Sequence, residues 1–164
     1  QSVIRADVIH IRRSKMDLTK KVIEYIANQE IEAEQTNDET FTFQAYSRSG
    51  IVMVGISIDE KKDALYFDCM SKLDIDDDNR DKFLGLANEV NRILTATSMV
   101  LDIDDGFLTA TIPLMNTNSL DDDIIGECIG LVIETVGLFY PAFLLIQHSK
   151  MTALEVISKI KEDM

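Results

Sequence analysis

Hydrophobic and polar positions recur with a helical period at the start of this chain and with a strand-like period after it. Leu18 and Val22 follow helical spacing behind Asp17, which predicts a short amphipathic helix over 17–28 with Asp17 as its N-cap. Four strand-like segments follow, at 31–36, 40–46, 51–58 and 64–70. The short polar turns between them predict an antiparallel meander. Both faces of 51–58 are apolar, which indicates a central strand.

Helical spacing returns after the meander. Phe83 and Val90 share one face of a second helix, and we expect the acidic run 76–78 before it to provide its cap. Two further strands, 98–103 and 107–114, are joined by an Asp-Asp-Gly turn, a strong hairpin signal. Helical patterns then cover 120–140, where Pro141 is expected to end the helix, and 151–161.

The first 16 residues fall outside this periodicity. They mix apolar and basic residues without a clean period, so residues 1–16 predict a basic N-terminal arm or a strand. The remainder, 17–164, has the length of a single domain with one core. Its elements are predicted in the order α-β-β-β-β-α-β-β-α-α.

The charge is strongly negative and unevenly distributed. The net charge is −13 overall, but residues 22–164 carry ten basic and twenty-seven acidic residues, a net of −17. No lysine or arginine occurs between Arg92 and Lys150. Such a surface repels phosphate backbones, which argues against nucleic-acid binding, and it attracts a basic segment of a protein partner.

The segment 120–140 is apolar on nearly all sides, which raises the question of a membrane span. Glu127 and Glu134 lie inside it, and Pro141 interrupts the apolar run. Because carboxylates within a bilayer are energetically costly, we expect no membrane span. One sheet cannot cover so much apolar surface, so we expect a second subunit to cover the rest, which predicts a homodimer.

Two acidic stretches resemble the start of a helix–loop–helix calcium loop. Such a loop needs Gly at its sixth position and a bidentate Glu at its twelfth. Counted from Asp74, these positions hold Asn79 and Gly85, and counting from Asp76 supplies no Glu either. The copy at 101–106 turns directly into strand sequence. We interpret the two stretches as a helix cap and a hairpin turn.

The other chemistry-bearing residues predict no catalytic, cofactor or metal site, and we expect a protein without enzymatic activity. Cys69 and Cys128 lie far apart in apolar surroundings and are interpreted as buried thiols in a reducing, cytoplasmic compartment. His10 and His148 have no metal-ligand spacing, and no phosphate-loop, dinucleotide or nucleophile motif occurs. Four methionines on the predicted strands fill the core or form an adaptable binding surface: Met53, Met70, Met99 and Met115.

The segment 86–143 resembles a known family through five residues: Asn88, Asn91, Gly106, Tyr140 and Pro141. The family is that of the YbjN-like proteins, described as bacterial regulators of sensory transduction. The resemblance implies an α+β fold in which helices pack on one side of a bent antiparallel sheet, as in the small acidic chaperones of type III secretion. It implies no catalytic residues. The two asparagines are expected to bridge their helix to a strand backbone, with a ligand role as the alternative.

The acidic body and the family resemblance together favour a non-enzymatic protein-binding domain, either chaperone-like or a regulatory adaptor. An extended partner segment is expected to add to a sheet edge. Asp121, Asp122 and Asp123, at the start of the long helix, are the candidate contacts for its basic residues. The alternative hypothesis is a small-ligand or divalent-cation sensor that uses the acidic turns.

Overall fold

The helices and strands follow one another in the predicted order. The computed structural model describes residues 17–115, 117 and 120–163, so the predicted arm at 1–16 lies outside the described residues. The helices are α1 (Leu18–Asn28), α2 (Arg80–Asn91), α3 (Asp122–Gln147) and α4 (Ala153–Asp163). The strands are β1 (Glu34–Asn37), β2 (Thr40–Ser47), β3 (Gly50–Asp59), β4 (Ala64–Lys72), β5 (Ser98–Asp102) and β6 (Phe107–Met115). The fold is α+β, as predicted.

All six strands form one open antiparallel sheet in the order β1-β2-β3-β4-β6-β5. The meander and the β5–β6 hairpin are confirmed, and β3 is a central strand as predicted. β6 lies between β4 and β5, so the second strand of the hairpin is the inner one. The edges of the sheet are therefore β1 with part of β2 on one side, and β5 on the other.

One face of the sheet carries the core. The register places five buried residues in a row across it: Phe43, Val54, Cys69, Ala110 and Met99. α3 lies against this face, in contact with β2, β3, β4 and β6, and α2 and α4 pack beside it. Fully burying one large apolar side chain contributes about 1.5–3 kcal/mol, so this layer is the main source of stability. The helices pack on one side, as expected.

The long helix α3 is longer than the sequence pattern predicts. We expected it to end before Pro141, but it continues to Gln147. Proline there removes only the hydrogen bond to the carbonyl of Gly137. Phe143 and Ile146, beyond the proline, are buried, and the Phe143 ring lies 5.6 Å from that of Phe83 in an edge-to-face arrangement. This burial offsets the missing bond, so the helix persists through its proline.

α3 also has the length and composition of a membrane-spanning helix, and within the described ranges it is the one helix that does. Half of its most apolar window is nevertheless buried inside the fold. A core helix of a soluble protein passes the same test, so α3 supplies no clear membrane span.

The acidic run before α2 forms a turn and does not cap the helix as expected. The N-cap is Asn79, whose side-chain Oδ1 accepts from the Asp76 backbone N–H at 3.0 Å. The Asp76 carboxylate in turn accepts from the Asn79 N–H at 2.9 Å. Each side chain therefore satisfies the backbone of the other, which folds the run back before the helix starts.

Candidate functional site

Gly106 and Tyr140, which carried the family resemblance, meet at the segment that joins β4 to α2. The Tyr140 hydroxyl donates to the Lys72 carbonyl at 2.9 Å, and the Leu73 N–H donates to the Gly106 carbonyl at 2.8 Å. Gly106 has a φ of +68°, and a Cβ there would lie 2.7 Å from the Leu73 carbonyl oxygen. Only glycine fits both requirements. These two residues therefore have structural surroundings, and Pro141 lies within α3.

Asn91 bridges α2 to β5. Its Nδ2 donates to the Met99 carbonyl at 2.8 Å, and its Oδ1 accepts from the Met99 N–H at 2.7 Å. Since both backbone groups of Met99 are used in this way, they point away from β6, toward the outer edge of the sheet. The amide thus occupies the place of a neighbouring strand. Asn88 is exposed and makes no side-chain hydrogen bond to any described residue.

The three aspartates at the start of α3 have different surroundings. Asp121 is the N-cap, and its carboxylate accepts from the Ile124 N–H at 2.9 Å. Asp122 lies 2.9 Å from the Lys21 ammonium and accepts from the Asn28 amide, which together hold the pKa of Asp122 below its ordinary value. Asp123 is exposed. Partner binding at these residues stays a prediction, and two of the three already stabilise the fold.

The acidic turns form no cation cage within the part of the chain that the structure describes. No group of three or more His, Cys, Asp or Glu side chains there could hold a metal ion. Asp76, Asp77 and Asp104 do line a cleft of about 210 Å³, but Arg80 lies in it with them. The Asp102 carboxylate accepts from two N–H groups of its own hairpin turn.

The two cysteines are buried free thiols, as predicted. Burial raises the pKa of Cys69 to about 12 and also raises that of Cys128. Both thiols therefore stay protonated near neutral pH, which makes them poor nucleophiles.

The sheet face opposite the helices carries a group of exposed and half-buried apolar side chains at one end. We call six apolar residues at this end of the face the apolar patch: Tyr46, Ile51, Met53, Met70, Val100 and Phe107. In the register Thr109 lies between Met70 and Val100. The most exposed are Tyr46 at 83%, Ile51 at 60% and Val100 at 51%. The next rows of the same face are mostly polar, with Thr42, Gly55, Asp68 and Thr111 in one row. The patch therefore has a polar boundary, as protein-binding surfaces do.

The sequence carries a signal for this patch in the apolar residues on both faces of 51–58. The two apolar faces of 51–58 indicated a central strand, which is correct, but only one of those faces is covered by helices. The methionines divide in the same way, since Met99 is buried in the core while Met53 is 37% and Met115 is 49% exposed on the open face.

The comparisons with known proteins agree with this architecture. The family profile described as "YbjN: Putative bacterial sensory transduction regulator" matches residues 20–145. The crystal structure of YbjN from E. coli, described as a putative transcription regulator, superposes with a TM-score of 0.55 at 11% identity, over 73% of this chain and 85% of that one. The HopA1–SchA chaperone–effector complex gives a TM-score of 0.48 at 12% identity, over 71% and 86% of the two chains. A search of curated proteins finds no significant match.

Proposed function

The chain belongs to the YbjN family, and from this premise we propose that it is a non-enzymatic protein-binding domain, acting as a chaperone-like or regulatory adaptor. The observation that carries the proposal is the apolar patch on the open sheet face. Tyrosine and methionine are enriched at protein interfaces because they bury large adaptable surfaces at low cost in conformational entropy. The polar rows beside the patch would form the rim of such an interface.

The charge of the chain supports a protein partner rather than a nucleic acid. A net charge of −13 repels phosphate backbones within the screening length, which is about 10 Å at 0.1 M salt. Beside the patch lies the basic side chain of Lys72, whose Nζ is 4.5 Å from the centroid of the Phe107 ring. Reduced buried thiols support the expectation of a cytoplasmic location.

A second copy of the chain is the other occupant to consider. We predicted a homodimer because α3 has more apolar surface than one sheet can cover, but α2 and α4 cover part of it. Leu131 and Leu144 stay 39% exposed on α3. Sedimentation of Leu131→Asp and Ile51→Asp distinguishes the two surfaces, because only the variant at the true interface should dissociate the dimer. A wild-type monomer at tens of micromolar would contradict the homodimer.

The function is tested by placing a photoreactive amino acid at Met53, within the apolar patch, or at Ser57, on the polar part of the same strand and face. We expect cross-links in the source cell from position 53 and few from position 57. The cross-linked partner, once identified, should no longer bind Ile51→Asp protein, while the melting temperature stays unchanged. Equal cross-linking from both positions, or undiminished binding by Ile51→Asp, would exclude the patch as the binding surface.

A further inference from the structure

β1 covers only the first part of its neighbour β2. It pairs with residues 40–42 of β2, and, among the described residues, 43–47 pair on one side only, with β3. The cause is a bend, since the Ala33 N–H donates to the Ile31 carbonyl at 3.0 Å instead of to β2. We call residues 43–47 the open length of β2.

Two residues of the open length direct their backbone N–H and C=O groups away from the sheet. Ser47 and Gly50 flank a two-residue turn and are therefore a hydrogen-bonded pair. Alternation along an antiparallel strand then directs the N–H and C=O groups of Gln44 and Tyr46 outward. None of these four groups makes a backbone hydrogen bond to any described residue outside the sheet pairings. They form a template for one more strand.

An acidic cleft adjoins the open length where the chain diverges from β2. It measures about 420 Å³ and is lined by Glu30, Ile31, Glu32, Phe43 and Gln44. Both glutamates are exposed, and neither forms an ion pair with a described residue. The cleft therefore offers an apolar floor between two exposed carboxylates, which suits an apolar side chain next to Lys or Arg.

We propose that the open length of β2 binds an extended segment of a partner protein as an additional strand, with an apolar side chain in the acidic cleft and basic side chains beside Glu30 and Glu32. This inference rests on the proposed protein-binding function and specifies where and how the partner is held. A second copy of the chain fits the edge poorly, because joining two such edges brings the same glutamates together. A basic segment instead gains attraction, which chiefly raises its on-rate.

The probe for this site is the acetylated, amidated peptide Thr-Arg-Val-Arg-Val-Thr, titrated into the ¹⁵N-labelled full chain. Binding should shift the amide signals of Gln44 and Tyr46 and leave that of Met99, whose edge is occupied by Asn91, unchanged. Two further peptides are N-methylated at every second residue, one at the odd and one at the even positions. Both keep the side chains and the charge of the parent peptide. One of the two methylated peptides should lose binding, because its methyl groups face the strand.

Two pairs of variants distinguish the contribution of backbone pairing at the β2 edge from that of the acidic side chains. Gln44→Pro removes an outward N–H without breaking a described sheet bond, and it should lower the affinity for the peptide about tenfold. Gln35→Pro on β1 is the control and should change the affinity little. Replacing Glu30 and Glu32 with Gln should weaken it about threefold to tenfold, and the same change at Glu127 and Glu162, equal in net charge, should not.

The outcomes distinguish this inference from the proposed function. Peptide shifts confined to Met53 and Met70, or full affinity for Gln44→Pro, overturn the edge site while leaving the apolar patch to its own test. If the peptide binds only after Arg5, Arg12 and Arg13 are replaced with Gln, the chain's own N-terminal segment competes for the edge, and the assignment to a partner protein is wrong. Salt should weaken wild-type binding more than binding by the Glu30 and Glu32 variant.

Discussion

The two faces of the sheet are built from the same six strands and differ in what covers them. On β3, Val54 is fully buried beneath the helices, while its neighbour Met53 is 37% exposed on the other face. On β4, Phe67 is buried and the adjacent Tyr66 is only half-buried. Both faces carry apolar residues, so hydrophobicity alone does not determine which one becomes the core. The helix layer determines it, and no described element covers the apolar part of the other face.

The covered face should be most sensitive to a charge. Val132 on α3 is fully buried, so Val132→Asp places a carboxylate among apolar side chains and should destabilise the fold by at least about 4 kcal/mol. Leu131→Asp is the matched control, since Leu131 is 39% exposed, and it should cost under about 1 kcal/mol. Urea denaturation of both variants measures the difference. Equal destabilisation would mean that α3 is covered on both sides.

Large-to-small substitutions should separate the faces within a single strand. Phe67→Ala removes a fully buried ring and should cost about 3–4 kcal/mol, because the cavity it leaves cannot collapse completely. Tyr66→Ala, one residue earlier on the open face, should cost about 1 kcal/mol or less. Comparison of their denaturation midpoints provides the measurement. A costly Tyr66→Ala would show that this face too is packed in solution.

The amide that occupies the β5 edge should contribute a smaller amount. Asn91→Ala removes both hydrogen bonds to Met99 and should cost about 1–3 kcal/mol. The Met99 amide should also exchange faster with deuterium. Asn88→Ala, on the exposed side of the same helix, should change neither quantity. Unaltered exchange at Met99 in the Asn91 variant would argue that the edge is protected by other means.

The ion pair between α1 and α3 should give the smallest effect, visible only as a pH dependence. The Lys21 ammonium holds the pKa of Asp122 below its ordinary value, so the stability it contributes is present above about pH 4 and is lost as pH falls through the folded value. The Asp122 carboxylate raises the pKa of Lys21, so that contribution is lost as pH rises above about 10.4. Melting temperatures of wild type and Asp122→Asn should therefore converge at both extremes. A constant difference across pH would contradict the pairing.

Local signals in the sequence predicted most of the fold. The cap at Asp17, the hairpin at Gly106 and the alternation along 40–46 each depend on neighbouring residues, and the structure agrees with them. The prediction that the helix ends at Pro141 was wrong. The burial of Phe143 and Ile146 stabilises the helix beyond the proline, and this burial depends on distant parts of the chain. The predicted start of β1 was also wrong, since β1 begins at Glu34 and not at Ile31. No proline or glycine in the sequence indicates the bend at Ala33.

The candidate site was less predictable for the same physical reason. The sequence offered acidic clusters, and Asp121 and Asp122 proved to be engaged in a helix cap and an ion pair. The apolar patch and the open length of β2 are defined by missing neighbours. A missing neighbour leaves no local mark in a sequence, because it depends on which elements the fold brings to that place.

The amide of Asn91 occupies both outward backbone groups of Met99 at one edge of the sheet. Fibril growth through strand pairing requires two open sheet edges in each chain, because each added chain must offer an unpaired edge to the next one. On the β5 edge, the Asn91 side chain already makes the two hydrogen bonds to Met99 that a neighbouring strand would make. If the open length of β2 accepts one extended segment as proposed above, the Met99 position on the opposite edge offers no equivalent acceptor. At that position the sheet would not pass strand pairing from one chain to the next.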